Sequence, residues 1–136
     1  MEIPAHFELL SPSPFGERIG PLYVSSRDSV PILGIRIENH HTNRGGRVHG
    51  GLLTTVADIA LSRAVRDHLP PGATMWTADL HIAFLQGAAA GEWVEAIPSI
   101  DRVGRSLIHA SCVLKAAEQE LAKVLATFAV RLPGLE

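Results

Sequence analysis

The sequence predicts an α+β fold, one buried helix packed against an antiparallel sheet. Three observations carry this. Leu52 to Val65 combines helix-forming residues with apolar side chains around most of its circumference, and a helix apolar nearly all round is a buried one. Thr74 to Leu85 and Leu121 to Arg131 keep a period of two, the mark of strands with distinct faces. The turn signals after the helix lie close together, which suits hairpins.

Taken in order, Met1 to Pro21 is weakly patterned, and Ser11-Pro12-Ser13-Pro14 breaks any helix begun at His6 to Leu10. Leu22 to Ser26 is a short strand, turned by Arg27-Asp28-Ser29 into a second over Ile32 to Glu38. There Leu33, Ile35 and Ile37 alternate with Gly34, Arg36 and Glu38, the pattern of a half-buried strand. A polar loop rich in glycine follows, His41 to Gly51, and feeds the helix. Pro70-Pro71 ends that helix by about His68, because a residue before proline is driven from the α region.

Beyond the helix, Trp76, Ala78, Leu80, Ile82 and Phe84 are expected on one strand face. Gly87 to Gly91 is a turn, Glu92 to Ile97 a strand ending near Pro98, and Asp101 to Gly104 a second turn. Ser106 to Lys115 is the next strand. Leu114 to Leu125 has helix propensity, but Val124, Ala126, Phe128 and Val130 alternate, so the last segment reads as strand. The strands form a long antiparallel meander. They are apolar on much of both faces, which calls for a second layer, most simply another subunit.

With 136 residues, one domain spanning 1–136 is expected. A net charge of -2 and the lack of a basic cluster argue against nucleic acid or an anionic membrane as partner. The single cysteine, Cys112, cannot form an internal disulfide and suits a reducing compartment. No apolar run reaches about 18 residues, so no transmembrane helix is expected, and Met1 to Pro4 carries no basic-then-apolar leader. A cytoplasmic location is the simplest expectation.

The loop and helix bring chemistry-bearing residues together. The glycines let backbone amides approach a ligand, and the helix N-terminus offers unpaired N–H groups with partial positive charge. Asp58 sits two turns in, on a stripe with Thr54 and Ser62. That stripe is either a solvated helix edge or one wall of a site.

Asn43-x-x-Gly46-x-x-His49-Gly50-Gly51, continued by Leu52-Leu53-Thr54-Thr55-Val56-Ala57-Asp58, resembles the signature of the hotdog-fold thioesterases of the phenylacetate-degradation (PaaI-like) type. Thr77 to Leu85, Gly91-Glu92 and Val103-Gly104-Arg105 fit the same pattern, so the resemblance spans roughly Phe15 to Leu132. It implies a hotdog fold, with the sheet wrapped around the helix, and a homodimer with interfacial sites, often paired into a dimer of dimers. It further implies metal-free, cofactor-free hydrolysis of acyl-CoA thioesters.

Thioester hydrolysis needs an activated water and a donor for the developing oxyanion. The leaving thiolate is stable, with a pKa of roughly 8.5 for an ordinary thiol. Asp58 is the candidate base or nucleophile, and the sequence does not separate the two. The resemblance assigns Gly50 as oxyanion donor, Asn43 to the water or thioester, His49 to orienting the loop, and Thr77 to assisting the water. Asn43 also fits a plain turn asparagine, and Thr77 a plain β-branched strand residue. Gly51, Leu52, Trp76 and Phe84 are substrate-binding candidates, with Leu61 and Leu85 as further acyl-pocket wall. Arg102 and Arg105 suit the phosphates of CoA, or merely a solvated turn.

Three other classes compete. A metallohydrolase would use His40, His41, His49 and Asp58, but their spacing matches no compact ligand motif. A hotdog hydratase or dehydratase would pair a histidine with a carboxylate. A non-catalytic acyl-CoA-binding protein would ordinarily carry an effector domain.

Overall fold

The computed structural model describes residues 2–25 and 29–134. The expected turn at Arg27-Asp28, and Ser26 before it, lie outside the described residues. The elements run β1 (Phe7–Leu9), α1 (Pro14–Ile19), β2 (Tyr23–Ser25), β3 (Ile32–Arg36), a 3₁₀ turn (Asn39–His41), α2 (Gly50–Arg66), β4 (Thr74–Phe84), β5 (Trp93–Val103), β6 (Leu107–Ala116) and β7 (Gln119–Arg131). All strand pairings are antiparallel, in one seven-stranded sheet of order β1-β2-β3-β5-β6-β7-β4. Its inner face wraps α2, the arrangement of a hotdog fold. Leu53, Val56, Ala57, Ala60, Leu61 and Val65 of the helix meet Ile35, Val94, Ile108, Leu114 and Phe128 of the sheet in one core.

Several local expectations are corrected. Ser11 to Pro14 does not merely break a helix but starts one. Ser13 Oγ accepts the Gly16 N–H at 3.0 Å and Pro14 occupies the first turn, where its missing N–H costs nothing. Phe7–Leu9, inside the abandoned helix, is a strand paired to β2.

β3 is buried on both faces rather than one. Trp93 lies over Gly34, where an added Cβ would come 2.1 Å from the ring. Phe7 meets Trp93 edge-on, 5.1 Å between centroids. The "polar" side of β3 is therefore roofed by aromatic rings.

β5 runs on to Val103 instead of turning at Asp101. Proline is tolerated because Pro98 lies past Ala96, the last β5 residue paired with β3. The meander covers only β5-β6-β7, since β4 pairs with β7 at the far edge.

The most consequential correction is in β4. Thr77 pairs with Phe128 but Asp79 pairs with Thr127, so the register shifts at Ala78. A bulge of this kind adds one residue and flips the alternation. Trp76, Ala78, Leu80, Ile82 and Phe84 therefore do not share a face. Met75 and Thr77 turn inward with Leu80 and Ile82, and Trp76 points outward, 50% exposed.

Candidate functional site

The glycine loop is a small hairpin. Thr42 bridges Val48, the Asn43 N–H donates to the Arg47 carbonyl at 2.7 Å, and Gly46 N–H returns to the Asn43 carbonyl at 3.0 Å. Gly46 adopts φ +78°, a conformation glycine takes without strain. Asn43 Oδ1 is folded into this turn, accepting from Gly45 N at 2.9 Å and Arg47 N at 3.2 Å. In this chain its carboxamide oxygen therefore serves the loop. Val48 N–H donates to Ala88 and Arg47 bridges Ala89, which fastens the loop to the segment before β5.

His49 caps α2. Its Nδ1 accepts the Gly51 N–H at 2.8 Å, and its carbonyl accepts the amides of Leu52 and Leu53 at 3.0 and 3.2 Å. A helix N-terminus leaves its first amides without intrahelical i→i−4 partners; here His49 takes those of Gly51 and Leu52, and its own N–H goes to the His41 carbonyl. Among the described residues the Gly50 N–H has no acceptor. It opens beside a cleft of about 340 Å³ lined by Val48, Gly50, Leu53, Phe84, Leu85, Gln86 and Gly87. Phe84 crowds it, since a Cβ on Gly50 would meet the ring edge at 3.1 Å.

Asp58 is half-buried on α2, two turns from this end. The inward turn of Thr77 brings its hydroxyl to Asp58, donating to Oδ1 at 2.7 Å. Thr54, Thr55, Ile59 and Ser62 share the same half-buried strip of helix. Among the described residues no hydrogen bond joins Asp58 to Asn43, His49 or Gly50, so the structure brings the candidates together as two groups, a loop group and an Asp58–Thr77 group.

The binding candidates divide similarly. Phe84 and Leu85 wall the Gly50 cleft, whereas Leu52 and Leu61 are core residues. Gly51 is exposed, its amide held by His49. Trp76 stands on the opposite face of β4 from Thr77 and lines an open groove of about 800 Å³ with Arg105 and Arg131. Arg102 is exposed on β5, outside that lining.

His41, read from sequence as part of a polar loop, is buried, with Glu38 N–H on Nδ1 at 2.9 Å and the Ile19 carbonyl 2.5 Å from Nε2. The spacing Glu38-x-x-His41 was the available signal. It gives a first-turn capping arrangement that polarity alone does not reveal. His40 lies against His41, the rings tilted by 44°, and its Nε2 is 3.2 Å from the Gly20 carbonyl. Among the described residues no helix is long and apolar enough to cross a membrane.

What a hotdog sheet around such a helix does is decided by comparison with known proteins. The family model described as the thioesterase superfamily matches residues 45–123. The chain is 32% identical over 130 residues to a Pseudomonas aeruginosa protein described as a predicted esterase, covering 94% of this chain and 97% of that one. It is 31% identical over 90 residues to mouse acyl-coenzyme A thioesterase 13, covering 65% of this chain and 62% of the relative. Among solved structures it is similar to the Escherichia coli PaaI protein of the phenylacetic acid degradation operon, with a TM-score of 0.78, 18% identity, and coverage of 90% and 87% of the two chains. The chain belongs to the thioesterase superfamily and is a thioester hydrolase.

Proposed function

We propose that the protein hydrolyses acyl-CoA thioesters to a free acid and CoA, using Asp58 and the Gly50 amide without a metal or resident cofactor. The observation that carries this is the Gly50 N–H, which has no acceptor among the described residues. His49 engages the neighbouring amides and leaves one donor, at the positive end of α2, facing a cleft. Such a donor stabilises charge only as it develops on the thioester oxygen.

In the hydrolytic step a water oxygen adds to the thioester carbonyl carbon and passes a proton to the Asp58 carboxylate. The tetrahedral intermediate collapses, the C–S bond breaks, and the thiolate leaves and takes up a proton. If Asp58 attacks first, water cleaves the resulting anhydride instead. Thr77 holds Oδ1 and leaves the other carboxylate oxygen for the reaction in either route. Likeness to the mouse acyl-coenzyme A thioesterase supports CoA as the leaving group.

Each site takes its loop group from one subunit and its Asp58–Thr77 group from another. The absence of a bond between the two groups in one chain supports this reading. So does β4, an edge strand of 11 residues with one unpaired side, a template for antiparallel pairing with a second copy. The test is thiol release from a panel of aryl, medium-chain and polar acyl-CoA substrates, with Asp58→Asn as control. Absence of turnover across the panel, or equal turnover by the control, would sink the proposal.

A further inference from the structure

His41 takes no part in the proposed chemistry, yet it is among the most enclosed polar side chains described, 2% exposed. It sits where three segments meet. Its Nδ1 accepts the Glu38 N–H and its Nε2 faces the Ile19 carbonyl at the end of α1. One nitrogen that accepts and one that donates define the neutral Nε2–H tautomer. Its own backbone carbonyl accepts the His49 N–H at 2.8 Å. His49 is the residue that caps α2 and precedes Gly50. The side chain thus fixes the main chain that fixes the corner carrying the free amide.

We infer that His41 is a positioning residue for the oxyanion donor: its neutral ring holds the His49–Gly50 corner, and gaining a proton or losing the ring releases that corner. The inference rests on the proposed role of Gly50. A protonated ring carries N–H groups on both nitrogens. Nδ1–H would then oppose the Glu38 N–H, donor against donor, and the turn from Glu38 to His41 would have to open. The groups that face the ring are His40, tilted against it with centroids 3.9 Å apart, Glu38, and the Ile19 and Gly20 carbonyls of the α1 end. Desolvation by burial, with the His40 charge in the same direction, holds its pKa below the ordinary value of 6.5 against the opposing pull of the Ile19 and Gly20 carbonyls and Glu38. The corner is therefore intact at neutral pH.

Two measurements test this on the whole protein. In the first, the His41 ring and the Gly50 and His49 amides of the wild type are followed by NMR from about pH 8 to about pH 4. The expected result is a common midpoint, below 6.5, for the ring and both amides. A Gly50 amide that does not follow the His41 ring overturns the inference, and this reading needs no variant and no turnover. In the second, His41→Gln and His41→Phe are assayed for thioester hydrolysis. Displacing a transition-state donor lowers kcat and leaves KM nearly unchanged, so we expect kcat about tenfold down or more for His41→Phe with KM within about twofold. His41→Gln, whose amide N–H can reach Ile19, should recover part of the loss. A folded His41→Phe with wild-type kcat refutes the role. If wild type hydrolyses no thioester, the functional reading fails, while the titration still decides the positioning role.

Discussion

The Thr77 hydroxyl donates to Asp58 Oδ1 at 2.7 Å, across the gap between β4 and α2. The contact exists because of one extra residue. Without the register shift at Ala78, Thr77 and Leu80 could not both face the helix. The bulge gives the strand a polar hand at the level of the carboxylate and keeps its apolar face on the core below.

Asp58→Asn should therefore lower turnover by about 10²–10⁴, the usual contribution of a positioned base, with the fold retained. Thr77→Ser keeps the hydroxyl and should remain within a few-fold of wild type, whereas Thr77→Val should lose about tenfold in kcat, as a charge-assisted bond to the carboxylate is deleted. Steady-state kinetics on the three variants, beside circular dichroism, checks this. A Thr77→Val enzyme as active as wild type would leave the contact structural.

Gly50 allows an unusually clean excision. It occupies the first helical position, where proline is tolerated because the N–H has no intrahelical partner. His49 already has φ -68° and ψ 132°, the extended conformation that a following proline requires. Gly50→Pro should keep α2 and delete the donor, lowering kcat by about 10²–10³. Gly50→Ala places a similar Cβ against the Phe84 ring but retains the N–H, so it should keep most of that activity. Equal activity of the two variants would remove the amide from the mechanism.

The sequence made the helix, the glycine loop and the alternation of β7 legible, because each depends on local periodicity or on residues with few conformations. It also led to Asp58 and Gly50 through a resemblance carried by the loop. It misplaced Trp76 because a bulge carries no local signal at Ala78, and period-two counting runs straight through it. It misjudged β3 because the cover over Gly34 comes from Phe7 and Trp93, distant in sequence. It passed over His41 because burial of a histidine is decided by α1, whose carbonyls reach it from the other end of a loop.

Cys112 supplies a pH dependence with a defined sign. Burial pushes its thiol up from 9.0 to about 12. Between those values the folded chain keeps a proton that the unfolded chain releases, so stability is full below pH 9 and declines as pH rises. At about pH 10.5 the loss from this group approaches 2 kcal/mol. Urea melts at neutral pH and near that pH should show Cys112→Ala losing less stability on alkalinisation than wild type. Parallel loss in both proteins would contradict the burial argument.

The division of the candidates into two groups leads to the last prediction. Asp58 and Thr77 are joined to each other, and Asn43, His49 and Gly50 are tied into the loop and helix cap. If a site needs both groups and each comes from a different chain, a Gly50→Pro homodimer and an Asp58→Asn homodimer are both inactive. A hybrid dimer is not. One of its sites carries both lesions, and the other combines an intact loop from the Asp58→Asn chain with an intact carboxylate from the Gly50→Pro chain. With equal amounts and free exchange, half the dimers are hybrids, so activity should return to about a quarter of wild type. Exchange is established first by co-purifying differently tagged chains, since β4 pairing along 11 residues could make dissociation slow. Unmixed proteins carried through the same exchange give the baseline. Hybrids that form and stay at that baseline would mean that each chain builds its own site, and the loop group would then have to reach Asp58 within one subunit.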